Sequence, residues 1–286
     1  MVHIVLLNLL SPGSCASERV PVLAFRDALR KAGAEVTTMA AESDQEIDSA
    51  LEGLGPARRL VVATAADGEL RAVLRRMVRR YAPPPSKRPD DLPRDRTIPD
   101  LPAIGVLPLD ASEPAELVAR LGLPRAPEEV AEAVLGEKAR RLDLFRTDSG
   151  SVTLHGALVG GADENGQATA WWGKVEVDDT VLSDGSEPLV ACAVANSSGY
   201  AVIDDLPLVA GADPADGLID VGVAVPVVSR GFLRRKMRVE VRRSRGRAVS
   251  ITPRDEVPYL DDGVAGTLGR KRSWWTERSA WAVYVR

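Results

Sequence analysis

The hydrophobic period of this chain changes near Asp148. Before that point, apolar runs of strand length alternate with stretches of helical spacing. Beyond it, only short strand-like runs remain, separated by Gly, Asp and Ser turns. The first pattern calls for a parallel sheet covered by helices on both faces. The second calls for antiparallel sheets packed face to face. With 286 residues the chain has room for both. The expected fold is therefore α/β plus all-β. A doubly wound parallel α/β domain over 1–147 precedes a β-sandwich domain over 148–286, with the boundary near Thr147–Ser151.

In the first half, Val2–Leu10 is a continuous apolar run stopped by Ser11-Pro12-Gly13-Ser14, a buried strand ending in a turn. Val20–Ala32 has helical spacing and is closed by Gly33. A short strand over Glu35–Met39, a helix over Asp44–Leu54, a buried strand over Arg59–Ala63 and an Arg-rich amphipathic helix over Gly68–Tyr81 follow. Ala82–Pro102 carries seven prolines among charges and reads as a mobile loop or extended insertion. Ala103–Pro108 is a further buried strand, Ala115–Leu121 and Pro127–Leu135 are helices, and Arg140–Phe145 opens an edge strand.

In the second half the expected strands are Val152–Val159, Ala168–Val177, Pro188–Ala195, Leu218–Val227, Met237–Arg242, Arg247–Thr252 and Trp281–Val285. One short helix is allowed near Val228–Lys236, and the final strand is compatible with either domain.

Composition excludes several classes of function. A net charge of −4 carries no nucleic-acid signature. Two histidines, His3 and His155, argue against a His-dependent triad or a His-rich metal site, so any general base is a carboxylate. No G-x-S-x-G motif is present. Two cysteines without metal spacing, Cys15 and Cys192, favour free thiols in a reducing cytoplasm. The apolar start is too short to span a bilayer.

The segment Gly211–Val223 (G-A-D-P-A-D-G-L-I-D-V-G-V) places Asp213, Asp216 and Asp220 around one glycine ahead of an apolar strand. Such a cluster suits a hard cation or a phosphate–metal complex. It equally suits an Asx turn leading into a strand.

The chain resembles the diacylglycerol kinase and sphingosine kinase family, with the bacterial lipid kinases nearest and NAD kinases more distant. Asn8-Leu9-Leu10-Ser11-Pro12-Gly13 stands where the family has Asn-Pro-x-Ser-Gly. Ala65-Ala66-Asp67-Gly68-Glu69 stands where it has its Gly-Gly-Asp-Gly-Thr nucleotide loop. Pro108–Glu113 occupies the place of the second loop, Pro-x-Gly-Thr-x-Asn-Asp. Asn196 opens A-N-S-S-G-Y, Ala212–Val221 resembles the acidic turn, and Asp261-Asp262-Gly263 resembles the Asp-Gly-Glu catalytic turn.

The resemblance implies ATP and Mg²⁺ as cofactors. Asn8, Ala65, Ala66, Asp67, Gly68 and Glu69 would lie at the nucleotide, Asp213, Asp216 and Asp220 at a structural Mg²⁺, and Asp262 would be the base. It also implies a small-molecule or lipid ligand in a cleft between the domains. The departures matter: Ala65 and Ala66 restore Cβ atoms where glycine lets backbone meet phosphate. Glu69 replaces a threonine, Asp110 and Glu113 add charge to the second loop, and Val264 replaces the acid two residues after Asp262. The expectation is a diverged kinase relative with a damaged ATP site, its cleft serving ligand binding or altered chemistry. The alternative is an active ATP- and Mg²⁺-dependent kinase.

The run 229–247 holds nine arginines and lysines against Glu240, a pattern that fits a solvated hairpin face or docking on an anionic membrane or acidic partner. Trp171, Trp172, Trp274, Trp275 and Trp281 concentrate late in the chain, as core fillers or as the wall of an acyl pocket.

Overall fold

The computed structural model describes residues 2–9, 19–55, 58–110, 112, 116–162, 168–203, 205–230 and 235–286, with the backbone alone at 85, 228–230 and 235–237. The chain divides into two compact units, Met1–Leu142 with Ser279–Arg286, and Asp143–Arg278.

The first unit runs β1 (His3–Leu9), α1 (Val20–Lys31), β2 (Glu35–Ala41), α2 (Asp44–Glu52), β3 (Arg58–Thr64), α3 (Asp67–Tyr81), β4 (Ala103–Pro108), α4 (Glu116–Arg120) and α5 (Pro127–Gly136). The parallel order is β2-β1-β3-β4. Both faces of β1 are buried, as its unbroken apolar run demands. Ile4 and Leu6 join the cluster formed with Phe25 and Leu29 of α1 and Val130 and Val134 of α5, while Val5 and Leu7 are buried on the opposite face. Gly105 in β4 is required by this packing: an added Cβ would lie 2.7 Å from a Val134 methyl. At its start α2 carries a full capping box, Ser43 with Glu46. The Pro-rich segment contains one 3₁₀ turn, Pro85–Lys87, and buries Leu92, Ile98 and Leu101. The chain end returns to this unit, where Ala282 and Val283 pair in parallel with Ala103 and Ile104.

The second unit begins within β5 (Ala139–Thr147) and continues with β6 (Val152–Thr153), β7 (Gly156–Val159), β8 (Gly173–Val177), β9 (Thr180–Asp184), β10 (Ala191–Ala195), β11 (Val202–Ile203) and β12 (Leu206–Pro207). It closes with β13 (Ile219–Arg230), β14 (Arg235–Gly246), β15 (Ala248–Pro253), β16 (Val257–Asp261), β17 (Val264–Leu268) and β18 (Arg272–Tyr284), whose last residues belong to the first unit. One antiparallel sheet is ordered β14-β13-β10-β7-β16-β17, and β18-β15-β8-β9 are joined in sequence by antiparallel pairing. Residues from both sets, among them Val159, Cys192, Val221, Val175, Ile251 and Trp274, form one buried cluster.

Where a helix is expected near Val228–Lys236, the described residues are strand instead. Val228–Arg230 and Arg235–Lys236 are the inner ends of the long β13–β14 hairpin, with 231–234 outside the described residues. Three further elements, β9, β16 and β17, escape the periodicity because their buried positions are sparse. The pattern in β17 is four exposed residues and one buried. Trp171, Trp274 and Trp281 are core fillers, whereas Trp172 is partly exposed and Trp275 lies under the Arg146 guanidinium.

Candidate functional site

The carboxyl end of β3 turns directly into α3 through Thr64-Ala65-Ala66. In an open α/β sheet this is where a ligand meets backbone N–H groups at a helix start. Here the turn is filled by its own side chains. Glu69, in the first turn of α3, reaches back so that Oε2 accepts from Ala65 N at 2.7 Å and lies 3.0 Å from Thr64 Oγ1. Thr64 Oγ1 also sits 2.7 Å from Ala66 O and accepts from Ala66 N at 3.2 Å. A carboxylate at this point does what an anionic ligand would do: it meets the loop donors and the positive end of the helix.

Asp67 points elsewhere. It is 8% exposed, and its two oxygens lie 3.1 and 3.2 Å from Leu117 N, the second residue of α4. Burial pushes its carboxyl up to about 6, opposed by that backbone donor. Gly68 follows it in the helix. Asn8, near the end of β1 beside Ala40 and Ala63, is buried, and its Oδ1 has no hydrogen-bond partner among the described residues. In the second loop, Leu109 N donates to Thr64 O, and Asp110 Oδ1 accepts from Ser112 N. Glu113 lies outside the described residues.

In the second unit the carboxylates of the acidic turn are engaged by the turn's own backbone and by Arg245 of β14. Asp213 Oδ1 accepts from Ala215 N at 3.0 Å, and Asp216 Oδ1 from Leu218 N at 2.9 Å, both Asx turns. Asp216 Oδ2 and Asp220 Oδ1 are both paired with Arg245, the latter at 2.9 Å from Nε. Burial raises the Asp220 carboxyl against the pull of Arg245. Among the described residues no group of three or more His, Cys, Asp or Glu is placed to hold a metal. The residues expected at a Mg²⁺ therefore do not fit one, because a guanidinium already supplies the positive charge between two of them.

Asp262 and Gly263 are the two loop residues of the β16–β17 hairpin, with φ of 46° and 79°. That is the Asp-Gly signature of a tight hairpin with both loop residues left-handed. The Asp262 side chain is 1% exposed and accepts from three backbone N–H groups, Leu154 at 2.9 Å, His155 at 2.8 Å and Gly156 at 3.1 Å. Asn196 Nδ2 donates to Asp143 O and Leu154 O.

Four participants were missed in the sequence. Arg245 was visible only as part of a basic run, although a hairpin centred near residue 232 sets it opposite Asp220. Thr64 carried no signal. The buried contact of His155 Nδ1 with Ser197 Oγ, 2.6 Å, joins residues 42 apart. Within the described part of the basic run, Arg242 pairs with Glu187 and Glu240, and Arg243 donates to the carbonyls of Leu208 and Pro207. No described helix is long and apolar enough to cross a membrane.

No protein-family profile matches the chain, and no curated protein matches it in sequence. Solved structures do match in shape. Two structures, each described as a putative diacylglycerol kinase from Bacillus anthracis strain Sterne, align with TM-scores of 0.69 and 0.68, at 13% and 14% identity. Each alignment covers 99% of this chain and 96% or 97% of the other. A third structure, of a diacylglycerol kinase from the same organism, aligns with a TM-score of 0.65 at 12% identity over 99% of this chain and 96% of its own. At such identities the likeness is one of fold.

Proposed function

We propose that this chain is a lipid-kinase-fold protein that has lost ATP-dependent phosphoryl transfer and works as a binding protein. We read its architecture as that of the lipid kinases, and more distantly of the NAD kinases, with an α/β unit followed by a β-sandwich. The observation that carries the proposal is the contact of Glu69 Oε2 with Ala65 N and Thr64 Oγ1. A triphosphate would need those donors and would face a carboxylate instead. Two unit charges about 4 Å apart repel by roughly 4 kcal/mol at an effective dielectric of about 20. Unrelieved, that is about a thousandfold in affinity.

Two further observations support the same reading. Arg245 stands as a resident cation between Asp216 and Asp220, where Mg²⁺ was expected. The Asp262 carboxylate is engaged by three backbone donors, so it serves the hairpin and is not available as a base.

Titration calorimetry with Mg-ATP tests the proposal. The wild type should give no binding heat up to about 1 mM nucleotide. The triple variant Ala65→Gly, Ala66→Gly, Glu69→Thr should bind at least about tenfold more tightly, because it restores bare backbone and removes the charge. Micromolar binding by the wild type would overturn the proposal in favour of an active kinase.

A further inference from the structure

The first unit has a concavity at the end of β3 opposite the Thr64–Glu69 turn. It encloses about 400 Å³, within the range of small-molecule sites. Its floor includes Leu60 and Met77, 2% and 1% exposed, and Tyr81 contributes to its wall. Its polar lining is cationic: Arg58 from the start of β3 and Arg80 from the last turn of α3. No aspartate or glutamate is among the described residues that line it.

Cations in the last turn of a helix are ordinary, since they meet the negative end of its dipole. That accounts for Arg80, and Arg58, brought to the same cavity from a strand, likewise meets the carboxyl end of α2 at its cap residue Gly53. Arg58 Nη1 donates to Gly53 O at 3.0 Å, which anchors the guanidinium and leaves further N–H donors to a ligand. Arg80 has no ion-pair partner among the described residues, although the same helix pairs Arg75 and Arg76 with Asp44 and Asp48. Two arginines lining an apolar recess, with no ion-pair partner among the described residues, match an anionic group attached to an apolar body.

We infer that this cavity binds a small organic anion, a carboxylate or phosphate monoester carrying an aromatic or short aliphatic body, through Arg58 and Arg80. The inference is independent of the fate of the nucleotide loop.

Phenyl phosphate is a suitable probe, with phenol supplying the body without the charge and inorganic phosphate the charge without the body. Ligand-observed NMR titration should show saturable binding of phenyl phosphate, and both partial probes should bind at least about tenfold more weakly. The double variant Arg58→Gln, Arg80→Gln should lose at least about tenfold in affinity, with an unchanged melting profile because both side chains are exposed. No saturation by about 10 mM, or equal affinity in the folded double variant, would overturn the inference.

Discussion

Arg245 Nε lies 2.9 Å from Asp220 Oδ1, and the same guanidinium also pairs with Asp216. Asp220 and Arg245 are direct cross-strand partners of β13 and β14, so the pairing is fixed by hairpin register. A tethered cation of this kind cannot be removed by a chelator. The melting temperature of the wild type should be the same with EDTA as with Mg²⁺. Arg245→Gln should cost about 1 to 2 kcal/mol, a buried-pair penalty reduced because Arg245 is half exposed. The loss should shrink in acid, where protonation relieves the two uncompensated carboxylates. Urea unfolding of both proteins in acid and at neutral pH checks this, and a chelator-sensitive wild type would contradict it.

Asp67 gives a pH dependence of definite sign. Its carboxyl titrates at about 6 in the folded chain against an ordinary value of 3.8, chiefly through burial. Between those values the folded state binds more protons than the unfolded one, so the contribution of Asp67 to stability falls as pH rises through that window. The full loss is about 2 to 3 kcal/mol. Asp67→Asn keeps an acceptor for Leu117 N without a titrating group. It should therefore gain about 2 kcal/mol on the wild type in going from pH 4 to pH 8. Urea midpoints of the pair at those two pH values measure the difference, and a pH-independent gap would refute it.

Asp262→Ala should behave as a folding defect. It leaves three backbone N–H groups without their acceptor, at about 1 kcal/mol or more each. Asp262→Asn keeps one acceptor oxygen and tolerates the left-handed turn, so it should cost less than the alanine variant. Chemical denaturation of the two variants tests the ordering. An alanine variant within about 0.5 kcal/mol of wild type would show that the carboxylate does not hold the hairpin.

Cys192 sits fully buried within β10, and burial pushes its thiol up to about 12. At pH 8 the thiolate fraction is then about one in ten thousand. In a Cys15→Ser background, a disulfide reagent should not react with the native protein and should react fully in denaturant. Rapid modification without denaturant would be the contrary result.

Much of the first unit was legible because its signals are local. The strands β1, β3 and β4 each carry an apolar run, and Leu70, Val73, Leu74 and Met77 mark the inner face of α3 at helical spacing. The Glu69–Ala65 contact was within reach of the same reasoning, since it spans four residues at a helix start. Asp262-Gly263 also carried a local signal: a two-residue Asp-Gly between short strands is a hairpin, and the likeness to a catalytic turn concealed it.

The sequence by itself determined the succession of elements, the change from helix-covered parallel strands to antiparallel ones, and the chemistry available at each turn. Hydrophobic period and turn residues act over a few positions, so one chain displays them. Only the tertiary structure decided which groups those side chains meet. Asp262 is answered by Leu154, His155 and Gly156, more than a hundred residues earlier, and Asp216 and Asp220 by an arginine that composition assigned to a basic surface. Whether a carboxylate is free for chemistry depends on such distant partners, and chain folding alone brings them within hydrogen-bond reach.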